Sequence, residues 1–296
     1  MKIALTGATG FIGEHLSQQL LAASHQLHFV GRRPPPALDG RFFPWKSTHV
    51  EPPADAFEGV DAVIHLAGEP VAQRWNEDVK RRIRDSRVIG TQRLVETLSR
   101  LNHRPRALIA ASAVGYYGSR GDEILTESST PGSDFLGRTC VEWENAVTAA
   151  RDLDLRVAMI RIGIVLGTGG GALAKMLPPF RLGAGGRLGD GQQWMSWIHL
   201  EDLTGLFRFA LVNDVSGPWN GTAPHPARNE GFTRQLAAAL HRPAIFPVPA
   251  LALRALYGEM ADILLGGQRV LPQAAEAAGF PFRYPELKPA LAAILG

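Results

Sequence analysis

The 296 residues are 45% apolar and 20% charged, a balance that fits a globular protein with one large domain and a smaller lobe. A net charge of +3 over this length is too small to mark a nucleic-acid binder, and a single cysteine, Cys140, excludes an internal disulfide and a cysteine-based zinc site. Leu/Ala-rich stretches are broken by charge or proline before they could span a bilayer, and the chain opens on a strand rather than a leader. A cytoplasmic protein without membrane or nucleic-acid partners is expected.

The first stretch organises the rest. Ile3 to Leu5 reads as a buried strand, Gly7, Gly10 and Gly13 follow at once, and Glu14 to Ala23 carries apolar residues at helical spacing. Strand, glycine turn and helix form the setting in which glycines admit a pyrophosphate to the free N–H groups of a helix N-terminus. The spacing is G-x-x-G-x-x-G, and Gly7, Thr9, Gly10, Phe11, Ile12 and Gly13 are the candidate cofactor loop. A second strand, Gln26 to Gly31, ends in Arg32 and Arg33 with no acid beside them. An acid there would suit the ribose 2′-hydroxyl of NAD, whereas arginine suits the 2′-phosphate of NADP. NADPH is therefore expected over NADH; the alternative is a pair of solvated arginines before a proline-rich turn.

The next strand, Ala62 to Gly68, ends in Leu66, Ala67 and Gly68, small enough at its tip for a cofactor to lie close. His65 within it reads as a core residue. Trp75 to Arg100 is a long charged helix, and Arg106 to Ala111 a further buried strand. This strand leads to Ser112-Ala113-Val114-Gly115-Tyr116-Tyr117-Gly118, at a strand exit where ligands bind in such sheets. After a polar loop comes a helix through Cys140, Glu142 and Glu144 to Arg151, then a strand from Arg156 to Ile162. The alternation predicts an α/β, Rossmann-like, doubly wound parallel sheet. A glycine-rich excursion over residues 167–193, with a short helix from Ala172 to Phe180, reads as a lid. Trp194 to Leu203 is expected to return to the sheet and begin a helix. Residues 1–225 are taken as the nucleotide-binding domain and 226–296 as a small, largely helical C-terminal domain.

Together these stretches resemble the extended short-chain dehydrogenase/reductase superfamily, in its sugar-nucleotide epimerase-like group. Gly7 to Gly13 is similar to the group's cofactor loop, Asp61 to Gly68 to its D-x-x-x-H-x-A-[AG] strand, and Arg161 to Gly167 to its R-x-x-x-V-x-G segment. Gly189 to Gly191 with Trp197 to Asp202 is similar to its G-D-G…[FW]-[IV]-H-[VL]-x-D block. The resemblance implies that Ser112 and Arg161 join the cofactor site. It also exposes departures. The superfamily's acid/base tyrosine falls on Leu136, its lysine on Cys140, and the asparagine of N-V-x-G-T on Arg87. Ser112 survives, in a segment one residue longer than usual. The departures themselves resemble an atypical epimerase-like branch with Ser-Ala-Val-Gly-Tyr-Tyr-Gly, a Trp-Glu pair and a small C-terminal domain of unassigned role.

Three functions follow as expectations. The first is an NADP-dependent oxidoreductase acting on a small molecule (a nucleotide sugar or carbonyl compound), with Ser112, Tyr116, Tyr117 and Glu142 as candidate catalytic groups and His199 as a further one. The second is a regulatory protein that holds NADPH without chemistry. The third is a strict nucleoside-diphosphate-sugar epimerase, which Leu136 disfavours because leucine carries no proton. Lys175, Arg181 and Arg187 could serve a diphosphate or simply be solvated charges. Oligomeric state is left open.

Overall fold

The computed structural model describes residues 1–296. Its framework is set where apolar runs are unbroken. Strand β1 (Lys2–Thr6) leads through the glycine turn into helix α1 (Phe11–Ala22), then β2 (Gln26–Gly31), β3 (Arg41–Pro44) and β4 (Ala62–His65). Helix α2 (Glu77–Ser99) follows, then β5 (Ala107–Ala113), a 3₁₀ turn over Val114–Tyr117, β6 (Ile124–Leu125), α3 (Phe135–Thr148), β7 (Arg156–Ile162) and β8 (Ile164–Leu166). The chain continues through α4 (Gly171–Arg181), β9 (Trp194–Met195), β10 (Trp197–His199), α5 (Leu200–Val212), β11 (Gly217–Gly221), β12 (Ala227–Arg228) and α6 (Asn229–Ala239). Four short helices, α7 (Ala250–Tyr257), α8 (Ala261–Leu265), α9 (Gln273–Ala277) and α10 (Leu287–Leu295), and strand β13 (Arg269–Val270) complete it.

Seven strands form one parallel sheet in the order β11-β7-β5-β4-β1-β2-β3. Strand order reverses between β1 and β4, which places the topological switch point, and hence the ligand crevice, at their C-terminal ends. The sheet carries the main core of 45 buried apolar residues. A second core of 12, including Leu173, Phe180, Trp197, Phe232 and Leu291, joins α4 to α6 and α10, so the excursion is anchored rather than loose. The C-terminal lobe is tied back by the parallel pairing of β13 with β6.

Two strands of the sheet are absent from the sequence reading, β3 and β11, both at its edges. A third expectation needs correction: Trp197–His199 does not return to the main sheet. It pairs with Ile164–Leu166 in a separate two-stranded parallel ribbon.

Candidate functional site

At the switch point, Gly7 adopts φ +76, and a Cβ there would lie 2.8 Å from the Leu66 carbonyl carbon and 2.9 Å from Ala67 N. Only glycine lets the ends of β1 and β4 close on each other. Thr6 Oγ1 holds them together by accepting N–H bonds from Leu66 and Ala67, each 3.1 Å. Its own proton then goes to His65 Nδ1 (2.8 Å), which fixes the Nε2–H tautomer toward Thr91 Oγ1 at 3.1 Å. His65 is fully buried, and burial pulls its pKa down to about 4. It is a neutral strut.

Helices α2, α3 and α5 are capped by the side chains of Asn76, Asp134 and His199. Helix α1 is not: Gly10 is its N-cap and offers no side chain. The first N–H groups of α1, at Phe11, Ile12 and Gly13, are thus left for an outside acceptor. Gly13 packs so tightly that a Cβ would lie 2.2 Å from Gly7 O. Thr9 and Gly10 are exposed. The Phe11 ring has another task, because a Cβ on Gly170 would come within 2.5 Å of it; the ring seats the base of the lid excursion. Arg32 and Arg33 stand exposed at the end of β2, and neither takes a hydrogen bond or ion pair within the protein. These features fit a nucleotide-binding crevice.

Next to this cradle lies a closed polar row. Ser112, Arg161 and Asn220 are register partners on β5, β7 and β11, so the pleat turns all three to one face. Glu144 on α3 meets that face. Its Oε1 accepts from Ser112 Oγ (2.6 Å) and Arg161 Nε (2.8 Å), and its Oε2 from Arg161 Nη2 (2.8 Å). Arg161 also donates from Nη1 to Tyr117 Oη (2.9 Å) and Glu127 O (3.1 Å), and Tyr117 Oη donates to Asn220 Oδ1 at 2.7 Å. Burial works against the Arg161 charge, but Glu144 and Tyr117 outweigh it and hold the guanidinium protonated above its usual range.

Several of the sequence-predicted residues lie in or beside this row. Arg161 is 3% exposed, and its Nε, both Nη1 donors and one Nη2 donor are met by Glu144, Tyr117 and Glu127 within the row. Ser112 is 2% exposed and turned to Glu144 rather than to the crevice. Tyr117 is fully buried, and burial pushes its pKa up to about 12 against the opposing pull of Arg161 and Asn220. Its hydroxyl is taken up by Asn220 and Arg161 and faces the row. Glu142 lies on the opposite side of α3 and pairs with Arg84 of α2. The carboxylate that does face the strand ends is Glu144. Helical spacing could have found it, since Cys140, Trp143, Glu144 and Val147 share one buried face at i, i+3, i+4 and i+7.

Tyr116 alone of the candidates stays half-buried at the crevice. Its ring lies 3.5 Å from the Arg161 guanidinium carbon, and its hydroxyl has no partner in the protein. Leu136 packs its side chain against Gly115, where a Cβ would be 3.2 Å away. Cys140 is buried, and burial pushes its thiol up to about 12. His199 accepts from Glu201 N at 3.1 Å and stacks on Tyr284 at 4.0 Å; burial lowers its pKa to about 4, which makes it a helix cap. No group of three or more His, Cys, Asp or Glu side chains is placed to hold a metal ion. No helix is long and apolar enough to cross a membrane.

Comparison with known proteins matches residues 3–221 to the NAD dependent epimerase/dehydratase family and residues 248–294 to a domain of unknown function (DUF1731). A chloroplastic epimerase family protein SDR39U1 homolog of Arabidopsis thaliana is 43% identical, over 100% of this chain and 87% of its own length. The crystal structure of human epimerase family protein SDR39U1 (isoform 2) with NADPH superposes with a TM-score of 0.90 at 36% identity, covering 100% of this chain and 99% of that one. A nucleoside-diphosphate sugar epimerase from Corynebacterium glutamicum gives a TM-score of 0.81 at 37% identity, over 100% of this chain and 58% of that one.

Proposed function

The chain belongs to the NAD dependent epimerase/dehydratase family, and from that premise we propose that it binds NADP(H) at the β1–β4 switch point and uses it on a small-molecule substrate. The observation that carries this reading is the uncapped N-terminus of α1 beside the Gly7 cradle, with Arg32 and Arg33 unpaired at the tip of β2. The free N–H groups of Phe11, Ile12 and Gly13 would hold the pyrophosphate, and the two arginines the 2′-phosphate. Ala67 and Gly68 would let the cofactor lie against the end of β4. When bound, the nicotinamide ring gives or takes a hydride. The chain's own contribution to proton movement would come from Tyr116 Oη, the one candidate hydroxyl that is not sealed.

The substrate side of the crevice supports an anionic ligand of the nucleotide-sugar type. Arg228 and Arg269 both stack on Trp194, each 4.8 Å from a ring centroid; Arg228 is paired with Asp122 at 2.7 Å, and Arg269 Nε has no acceptor in the protein. Of the lid's basic residues, Lys175 is engaged with Ala72 O at 2.8 Å, while Arg181 and Arg187 are exposed.

A second reading, a NADPH-holding regulator without turnover, is favoured by one fact: Leu136 and Cys140 leave neither tyrosine nor lysine on α3. The test is a titration with NADPH, NADH, NADP⁺ and NAD⁺ by nicotinamide fluorescence and heat, followed by single-turnover assays with carbonyl substrates and nucleotide sugars. Tight NADPH binding supports the cofactor assignment, and its consumption with a defined product rejects the regulatory reading. Absence of binding by all four nucleotides would overturn both.

A further inference from the structure

The departures on α3 remove the superfamily's lysine, yet a cation remains at that place. It comes from Arg87 on α2, at the position the superfamily gives to asparagine. Arg81 and Arg82 of the same helix are exposed, whereas Arg87 is folded inward. Its Nη1 donates to Glu69 O (3.0 Å) and Ile83 O (3.1 Å), and its guanidinium carbon lies 5.2 Å from the Trp143 ring centroid. A Cβ on Gly68 would meet the guanidinium at 3.3–3.5 Å, so Gly68 is small partly to admit Arg87 to the tip of β4. The same guanidinium acts on the buried Cys140 thiol, drawing its pKa down against the larger upward push of burial. Glu69 O, Ile83 O and Trp143 fix the group in place, but only through Nη1 and the flat face. Nε and Nη2 donate to no protein atom. Neither is sealed among buried unpartnered atoms, so an acceptor from outside the protein can reach both.

We infer that Arg87 is a cofactor-binding residue that supplies from α2 the positive charge and donors which lysine supplies from α3 elsewhere in the superfamily, its Nε and Nη2 serving the nicotinamide-ribose half of the dinucleotide. The inference rests on the NADP(H) reading above. It explains why Cys140 can be buried and apolar in function: a lysine there would put two cations in one small space. Stacking on Trp143 also suits arginine rather than lysine, because its flat guanidinium is held with little further loss of freedom.

The experiment compares NADPH with adenosine 2′,5′-bisphosphate, which lacks the nicotinamide half, by calorimetry on the full chain. Loss of charge-assisted donors corresponds to about 10- to 100-fold in affinity. Arg87→Gln should weaken NADPH by that factor and leave the bisphosphate within about twofold. The double variant Arg87→Asn/Cys140→Lys, which moves the cation back to α3, should recover most of the NADPH affinity. Arg32→Ala serves as a control and should weaken both ligands. Equal NADPH affinity in wild type and Arg87→Gln overturns the inference and leaves the cofactor reading standing; so does an equal loss of both ligands at unchanged Tm. If Arg87→Gln does not fold, Arg87→Lys and the double variant decide, and a folded double variant that still binds the bisphosphate but not NADPH overturns the inference. No binding of either ligand to wild type rejects the cofactor reading instead.

Discussion

Removal of the Glu144 carboxylate should be the most damaging single change in the polar row. Glu144 is 8% exposed and Arg161 3%, and the two are joined by a pair of 2.8 Å hydrogen bonds with Ser112 as a third donor. Glu144→Ala leaves Arg161 charged and buried, with only Tyr117 Oη and Glu127 O as acceptors. Breaking such a pair from one side costs about 3–5 kcal/mol. With about 2.1 cal/mol/K of unfolding entropy per residue, a chain of this length should lose about 5–8 °C in Tm. The double variant Glu144→Leu/Arg161→Met removes both charges and should lose less than Glu144→Ala, because no uncompensated ion remains. Differential scanning calorimetry of both variants reads this directly. A shift below about 1 °C for Glu144→Ala, or a double variant worse than the sum of its parts, would refute the assignment of the row as a closed buried network.

Three further outcomes follow from the same structure. Gly7→Ala forces a Cβ to within 2.8 Å of Leu66 and strains φ +76, so it should lower Tm and abolish nucleotide binding together; a variant that binds normally would deny the cradle its role. Tyr117→Phe should cost about 1–3 kcal/mol by stranding Arg161 Nη1 and Asn220 Oδ1, and should leave the pH profile of any turnover unmoved, whereas Tyr116→Phe should slow the chemical step. His65 and His199 both have native pKa values near 4, below the ordinary 6.5. The unfolded chain therefore binds more protons between those values, so stability is full above about pH 6.5 and falls as pH drops toward 4. Urea midpoints at pH 5 and 7 should differ less in His65→Gln than in wild type, and an equal difference would contradict the buried neutral strut.

How far the sequence announced this structure depends on whether a feature is local. The glycine turn is a local signal, β1, β2, β4, β5 and β7 are largely apolar, and their parallel arrangement follows from alternation with helices. Strand β3 is Arg-Phe-Phe-Pro and β11 is Gly-Pro-Trp-Asn-Gly; each is short, sits at an edge and contains proline, so neither carries a strand signal. The apolar Trp197-Ile198-His199 is equally suited to any strand partner, and nothing local says it pairs with Ile164–Leu166. The site divides in the same way. The glycine turn is contiguous in the chain and legible. The polar row joins Tyr117 to Asn220 across 103 residues and Ser112 to Glu144 across 32, and only the assembled sheet brings them to one face. Tyr117 and Tyr116 are adjacent and chemically identical in the sequence, yet one is sealed and the other half-open, a distinction that the 3₁₀ turn at Val114–Tyr117 makes.

Arg32 and Arg33 are proposed to select a phosphorylated dinucleotide at the β1–β4 crevice. The most direct measurement is the affinity of Arg32→Ala/Arg33→Ala for NADPH and NADH, set against wild type at fixed ionic strength. Loss of the charged contacts to one phosphate predicts about 10- to 100-fold weaker NADPH binding and little change for NADH. An equal effect on both nucleotides, or none on NADPH, would contradict it.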